Sequence, residues 1–222
     1  MFNKVLVVED FDVINKGIVS SLKEIGTKEI EYITYCDEAY LKIRNAHQNN
    51  MPFDLIISDL SFHNNGTVQK LKSGDEFIIK VKQEFPDLKI IVFSVEDKPF
   101  RIQNLYKNCN ISGYVWKNRN GLQELKKAID QISKTDDFFI SPELKSAIHP
   151  KKAIEITDYD IFLINKLSKG LLQEAISEKL KEKNVKPFSI SAIEKRLKFL
   201  KEHFNANNTP HLIAITKDLG LI

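Results

Sequence analysis

Along the first 133 residues, short apolar runs alternate with stretches in which apolar residues recur at helical spacing. The runs are Lys4–Val8, Ile30–Tyr35, Asp54–Ser58, Leu88–Ser94 and Ser112–Trp116, rich in Val, Ile and Tyr. Their shortness and near-continuous apolar character predict strands buried on both faces. Between them, Val13–Leu22 sets Val13, Gly17 and Ser21 beside Ile14, Ile18 and Leu22, and Asp37–Ala46 carries Ala39, Leu41 and Ile43. Asp75–Phe85 spaces Phe77, Ile78, Val81 and Phe85, and Leu122–Ile132 spaces Leu122, Leu125, Ile129 and Ile132 along one helical face. Five strands alternating with helices predict an α/β unit with a parallel sheet covered on both sides.

The pattern then changes. Residues 134–154 read as a linker: polar connections around a short helix beginning near Pro142. From residue 155 onward every periodic segment is helical. Thr157 is placed to cap a helix running to about Leu167, Gly170 breaks it, and Leu171–Glu182 resumes. Pro187 with Ser189 or Ser191 marks a third start, running to about Phe204, and Thr209-Pro210 opens a last helix. The expectation is an α/β domain over 1–133 and an all-α domain over 155–222, consistent with a chain of 222 residues.

Charge sharpens this division. Residues 1–150 carry a net charge of −1 and residues 151–222 a net charge of +4. A mildly basic terminal domain is compatible with a nucleic-acid partner, although solvated helices carry this much lysine too. No run of 18 apolar residues suggests a membrane span, and the first ten residues read as a strand, not a signal peptide. Cys36 and Cys109 have no metal-ligand spacing, which suits free thiols in a reducing compartment.

Parallel α/β sheets bind ligands at the carboxyl ends of their strands. There stand Glu9 and Asp10 (first strand), Asp59 (third), Ser94 (fourth) and Lys117 (fifth). Three clustered carboxylates repel unless a cation joins them, and Mg2+ suits a few carboxylates, waters and phosphate oxygens. A lysine and a hydroxyl opposite can pair with phosphoryl oxygens, so the set suits phosphoryl transfer with Asp59 as nucleophile. Alone, each residue has a plainer explanation: a strand-end Asp as turn former, a surface lysine, an ordinary strand-end hydroxyl. Four strand ends fitting one scheme favour the functional explanation.

The motifs Val5-Leu-Val-Val-Glu-Asp10, Asp54-Leu-Ile-Ile-Ser-Asp59-Leu, Ile90-Ile-Val-Phe-Ser94 and Gly113-Tyr-Val-Trp-Lys117 resemble, in order, those of response-regulator receiver domains. The resemblance covers roughly residues 1–133 and implies a flavodoxin-like (βα)5 fold in a cytoplasmic bacterial protein. It implies that Asp59 accepts phosphate from a histidine kinase. Glu9, Asp10, Asp59 and the Ser61 backbone would hold Mg2+, Ser94 and Tyr114 would be the switch pair, and Lys117 would pair with the phosphate. The protein would be a phosphoacceptor, at most slowly self-phosphorylating and self-dephosphorylating. Three features depart from the family. Gly74 comes fifteen residues after Asp59, later than usual, so the loop over 62–73 with its turn-prone Asn64-Asn65-Gly66 is long, as in the capsule-synthesis regulator group but longer. Phe62-His63 replaces Met-Pro, and Asn118 replaces Pro.

In the tail, Ile156-Thr157, Leu163, Leu167, Gly170, Ile176 and Leu180 fall at the spacing of the LuxR/NarL-type helix-turn-helix. Ser189-Ile-Ser-Ala-Ile193-Glu-Lys-Arg-Leu-Lys resembles that family's recognition helix. Tyr159-Asp160 replaces Arg-Glu, Arg196 replaces a frequent His, and the turn before Phe188 is lengthened. Ile193, Leu197, Leu200 and Phe204 form one apolar stripe to pack on the scaffold helix. The residue match implies double-stranded promoter DNA as partner, contacted by Lys195 and Lys198 first, then Ser191, Glu194 and Arg196, with a homodimer when phosphorylated.

Two other readings compete. The helical tail could bind a protein instead of DNA, since Glu194 and Glu202 dilute its basic face. A haloacid-dehalogenase-type phosphohydrolase also uses an aspartyl phosphate, but it needs an Asp two residues after the nucleophile, where Ser61 stands.

Overall fold

A computed structural model of the chain describes residues 1–63, 69–148, 156–204 and 206–222. They form two compact units, divided along the chain between Ile148 and Ile156 apart from the short segment 98–101, which is grouped with the second. The first contains β1 (Lys4–Val8), α1 (Asp12–Glu24), β2 (Glu29–Ile33), α2 (Cys36–Gln48), β3 (Leu55–Ser58) and α3 (Gly74–Glu84). It continues with β4 (Lys89–Ser94), α4 (Pro99–Cys109), β5 (Gly113–Trp116) and α5 (Gly121–Lys134). A sixth strand, β6 (Phe139–Ile140), a 3-10 turn (Pro142–Leu144) and α6 (Lys145–Ile148) complete it.

The strands lie parallel in the order β2-β1-β3-β4-β5-β6. Its first five positions are the doubly wound, flavodoxin-like order, with the crevice where the order reverses between β1 and β3. Period-two alternation builds a core on each face. Leu6, Val8, Ile56, Ile90 and Val92 face α2, α3 and α4 through Ala39, Ile43, Phe77, Ile78, Val81, Ile102 and Leu105. Val5, Val7, Leu55, Ile57, Ile91 and Phe93 face α1 and α5 through Ile18, Leu22, Leu125, Ile129 and Ile132.

Three expectations need correction. The sheet has six strands among the described residues, not five, because the segment read as a linker supplies β6. Phe139 pairs with Gly113 and Ile140 with Tyr114, and Ile140, Leu144 and Ala147 join the core. Two residues between acidic and Ser-Pro segments are too few to show a strand period. The buried face of α2 is Cys36, Ala39, Ile43 and Ala46, with Leu41 55% exposed, since Ala39-Leu41-Ile43 follows a strand period and not a helical one. On α1, Asn15, Ile18, Ser21 and Leu22 are buried and Val13 is exposed. The helix that the (βα)5 resemblance implies between β4 and β5 is α4, which shows little period of its own because polar residues separate its three buried positions, Ile102, Leu105 and Cys109.

The second unit packs α7 (Asp158–Ser168), α8 (Gln173–Glu182), α9 (Ile190–His203) and α10 (Thr209–Asp218) around Leu163, Ile164, Ile176, Leu180, Ile193, Leu197, Leu200 and Leu212. Thr157 caps α7 in a reciprocal capping box with Asp160. Gly170 has φ +80°, so the chain leaves α7 through the left-handed region that glycine enters without strain. The lengthened connection Lys183–Ser189 is tied down. Tyr159 donates its hydroxyl to the Pro187 carbonyl at 2.7 Å and Ser177 to the Phe188 carbonyl at 2.5 Å. Ser189 then caps α9 by accepting from the Ala192 N–H.

Candidate functional site

The acids expected at the strand ends converge at the topological crevice. Asp59 extends the ladder past β3 by donating its N–H to the Val8 carbonyl at 3.0 Å. Lys117 does the same past β5, donating its N–H to the Ser94 carbonyl at 2.8 Å. The Lys117 ammonium is thereby placed 2.5 Å from Glu9 Oε2 and 2.6 Å from Asp59 Oδ2. All three side chains are buried, so this is an ion triad in a weakly screened setting. The Leu60 N–H donates to Asp59 Oδ1 at 2.6 Å and the Phe11 N–H to Glu9 Oε1 at 3.1 Å. Burial raises the Glu9 pKa above the ordinary carboxylate value, with the Asp59 charge adding to it, although Lys117 and the Phe11 N–H oppose the shift.

Glu9, Asp10 and Asp59 each offer an oxygen within 4.8 Å of the others. Asp10 Oδ1 is buried with no hydrogen-bond partner among the described residues. An all-oxygen set with one unsatisfied buried carboxylate oxygen fits a hard divalent cation. Ser94 is fully buried, and its hydroxyl accepts from the Glu96 N–H at 3.4 Å. Tyr114 is also fully buried, donating its hydroxyl to the Glu96 carbonyl at 2.7 Å. Ser61 is exposed at the head of the long loop.

Gly74 explains how that loop is accommodated. A Cβ there would lie 2.1 Å from the Asp59 carbonyl oxygen and 2.6 Å from Leu60 Cα. The Gly74 N–H donates to the Leu60 carbonyl at 3.0 Å. The loop therefore leaves and returns at one point, which only a residue without a side chain permits. The Asn64-Asn65-Gly66 turn lies outside the described residues. Sequence reasoning missed two anchors beside it. His63 reaches Asp10, and Asp37 accepts the Lys70 and Leu71 N–H groups at 2.7 and 2.9 Å. The Phe62-His63 departure was the available signal for the first; nothing local in the sequence indicates the second.

In the second unit, α9 buries Ile193, Leu197 and Leu200 and half-buries Phe204. Ser191, Glu194, Lys195 and Lys198 are exposed on the opposite side. Arg196 is placed differently. Its Nε and one terminal nitrogen each lie 2.6 Å from an oxygen of Asp160, which is fully buried. Burial alone would raise the Asp160 pKa, but the Arg196 and Thr157 hydrogen bonds outweigh it and hold the carboxyl below its ordinary 3.8. Two of the residues that depart from the helix-turn-helix pattern, Asp160 and Arg196, are thus one pair joining α7 to α9.

The architecture, a doubly wound α/β unit followed by an all-α unit, is shared with solved structures of response regulators. The RcsB response regulator of Salmonella typhimurium superposes with a TM-score of 0.67 at 21% identity, over 96% of this chain and 98% of that one. An RcsB–DNA complex gives 0.64 at 21% identity, covering 97% and 98%. The isolated receiver domain of RcsB from Salmonella enterica, solved with the phosphomimetic BeF3−, gives 0.52 at 23% identity over 65% of this chain and 97% of that one. In sequence, the chain is 29% identical over 142 residues to the response regulator GacA of Pseudomonas aeruginosa. That match spans 64% of this chain and 59% of the relative. No family model matches the sequence.

Proposed function

We propose that the protein is a two-component response regulator in which phosphorylation of Asp59 by a histidine kinase controls DNA binding and transcription. The observation that carries this reading is the buried Glu9–Asp10–Asp59 cluster with Lys117 across it, on the same chain as a helix-turn-helix unit. Mg2+ held by Glu9, Asp10, Asp59 and the Ser61 backbone would neutralise the oxygens of an incoming phosphoryl group. The Asp59 carboxylate then attacks phosphorus, the P–N bond of the kinase phosphohistidine breaks, and the imidazole leaves with the electron pair. Lys117, now shared between Glu9 and Asp59, exchanges Asp59 for a phosphoryl oxygen. Ser94 and Tyr114 form the switch pair, with the Ser94 hydroxyl donating to the phosphoryl group.

The receiver assignment over 1–133 is extended to Ile148, because β6 and α6 belong to the first unit, and 155–222 is assigned as the DNA-binding unit. In the second unit, Ser191, Glu194, Lys195 and Lys198 present the face of α9 offered to the major groove, and Arg196 supports it through Asp160. A motif of this size buries little surface, so a homodimer on a two-fold promoter site is the expected binding form. The solved RcsB–DNA assemblies include two RcsB dimers bound to two parallel DNAs, which accords with this. No helix among the described residues is long and apolar enough to cross a membrane, and the buried free thiols Cys36 and Cys109 suit the cytoplasm.

The experiment is DNA selection from a random duplex pool with and without a small phosphodonor and Mg2+, alongside mass measurement of wild type and Asp59→Asn. One added phosphate on wild type only, with enrichment of a specific sequence, is the expected result. Equal phosphorylation of Asp59→Asn overturns the acceptor assignment, and absence of any enriched sequence favours a protein-binding tail.

A further inference from the structure

Phe62-His63, a departure from the receiver pattern, acts on the acidic cluster from outside it. Phe62 packs against the core on the α2–α3 face. This carries His63 to Asp10, whose Oδ2 accepts two hydrogen bonds from it: one from the backbone N–H at 2.7 Å and one from Nδ1 at 2.8 Å. A carboxylate only accepts, so the ring proton sits on Nδ1 in this contact. Phe11 meets the imidazole edge-on at 4.8 Å, while its own N–H holds Glu9. The Asp10 side chain is only 9% exposed, and its other oxygen, Oδ1, is buried without a partner among the described residues. Two donors on one oxygen fix the carboxylate's rotation and leave the other oxygen as its free anionic atom.

We propose that His63 is a positioning residue for the divalent cation, locking Asp10 through Oδ2 so that Oδ1 is the oxygen offered to the ion. This rests on the reading of the pocket as a Mg2+ site. The ring is not itself a ligand here, since the oxygens that converge come from Glu9, Asp10 and Asp59. Its contribution is orientation, of the kind that costs about 10–100-fold in metal affinity when an outer hydrogen bond to a ligating group is removed. The backbone N–H survives substitution, so the lower end, about 10-fold, is expected for His63→Ala.

Trp116 is the chain's one tryptophan and precedes Lys117, so its fluorescence is a candidate signal for cation binding without any phosphoryl transfer, with calorimetry as the deciding measurement. Mg2+ alone is titrated into the full-length protein, wild type, His63→Ala, His63→Asn and Asp10→Ala, with calorimetry in parallel. His63→Ala should bind about 10-fold more weakly, and His63→Asn, which keeps a donor near the Nδ1 position, should recover most of the loss. The ring is 72% exposed, so neither variant threatens folding. Wild-type affinity in His63→Ala, or no recovery in His63→Asn, overturns the positioning role alone. Absence of Mg2+ binding in wild type, or unchanged binding in Asp10→Ala, overturns the pocket reading and this inference with it.

Discussion

Replacing Arg196 by Met tests what holds the second unit together. The Asp160 carboxylate is fully buried and receives four hydrogen bonds. Two come from the guanidinium at 2.6 Å each, one from the Thr157 N–H at 2.9 Å and one from the Thr157 hydroxyl at 2.8 Å. Met keeps much of the packing against Phe199, over which the guanidinium lies at 4.8 Å, but strands the charge on Thr157 alone. Breaking a buried pair from one side costs about 3–5 kcal/mol, and because the Arg196 side chain is 30% exposed, water offsets part of this, leaving about 3 kcal/mol. A unit of this size has a total stability on the order of 3–10 kcal/mol, so the loss is a large fraction of it. Hydrogen exchange on the intact chain reads α7 and α9 separately from the first unit, which serves as internal control. Wild type should lose α7–α9 protection as pH falls through the lowered Asp160 pKa. The stabilisation is complete above the unfolded carboxyl value near 3.8 and vanishes below the folded one. Arg196→Met should lose protection already at neutral pH, and Asp160→Leu with Arg196→Met should regain much of it. Wild-type protection in the single variant at neutral pH would refute the argument and return Arg196 to the set of free surface cations.

Three further outcomes follow from particular contacts. Gly74→Ala places a methyl group 2.1 Å from the Asp59 carbonyl oxygen, so thermal unfolding should show the first unit destabilised by at least about 2 kcal/mol; an unchanged melting temperature means that the Asp59–Gly74 approach is looser in solution. Asp37→Ala removes the acceptor of the Lys70 and Leu71 N–H groups, so those two amides should exchange about 5–30-fold faster, equivalent to about 1–2 kcal/mol of local opening, while β1 and β3 stay protected. Lys195→Ala and Lys198→Ala should each lower the log–log salt slope of binding to a selected DNA site by about one unit if the lysine meets a phosphate. Alternatively, each should cost roughly 1–3 kcal/mol of base discrimination if it meets a guanine edge. Wild-type affinity and slope in both variants would remove α9 as the reading helix.

The strands β1, β3, β4 and β5 were legible because each is buried on both faces and so appears as an unbroken apolar run. The residues that end them, Glu9, Asp10, Asp59, Ser94 and Lys117, were legible for the same reason: a charged or hydroxyl residue closing such a run must stand at the crevice edge. The buried stripe of α9 was equally plain, since Ile193, Leu197 and Leu200 repeat at helical spacing. Two-residue β6 and sparsely apolar α4 were not, because their burial comes from neighbours and not from their own period. Long-range pairing was beyond reach altogether. Arg196 reads as a surface cation until α7 brings buried Asp160 beneath it, and His63 reads as a loop residue until the chain folds it onto Asp10, 53 positions away. Local period depends on which faces of an element are dry, and that is written along the chain. The partner of a polar side chain depends on which distant group burial has left unsatisfied, and only the tertiary structure decides that.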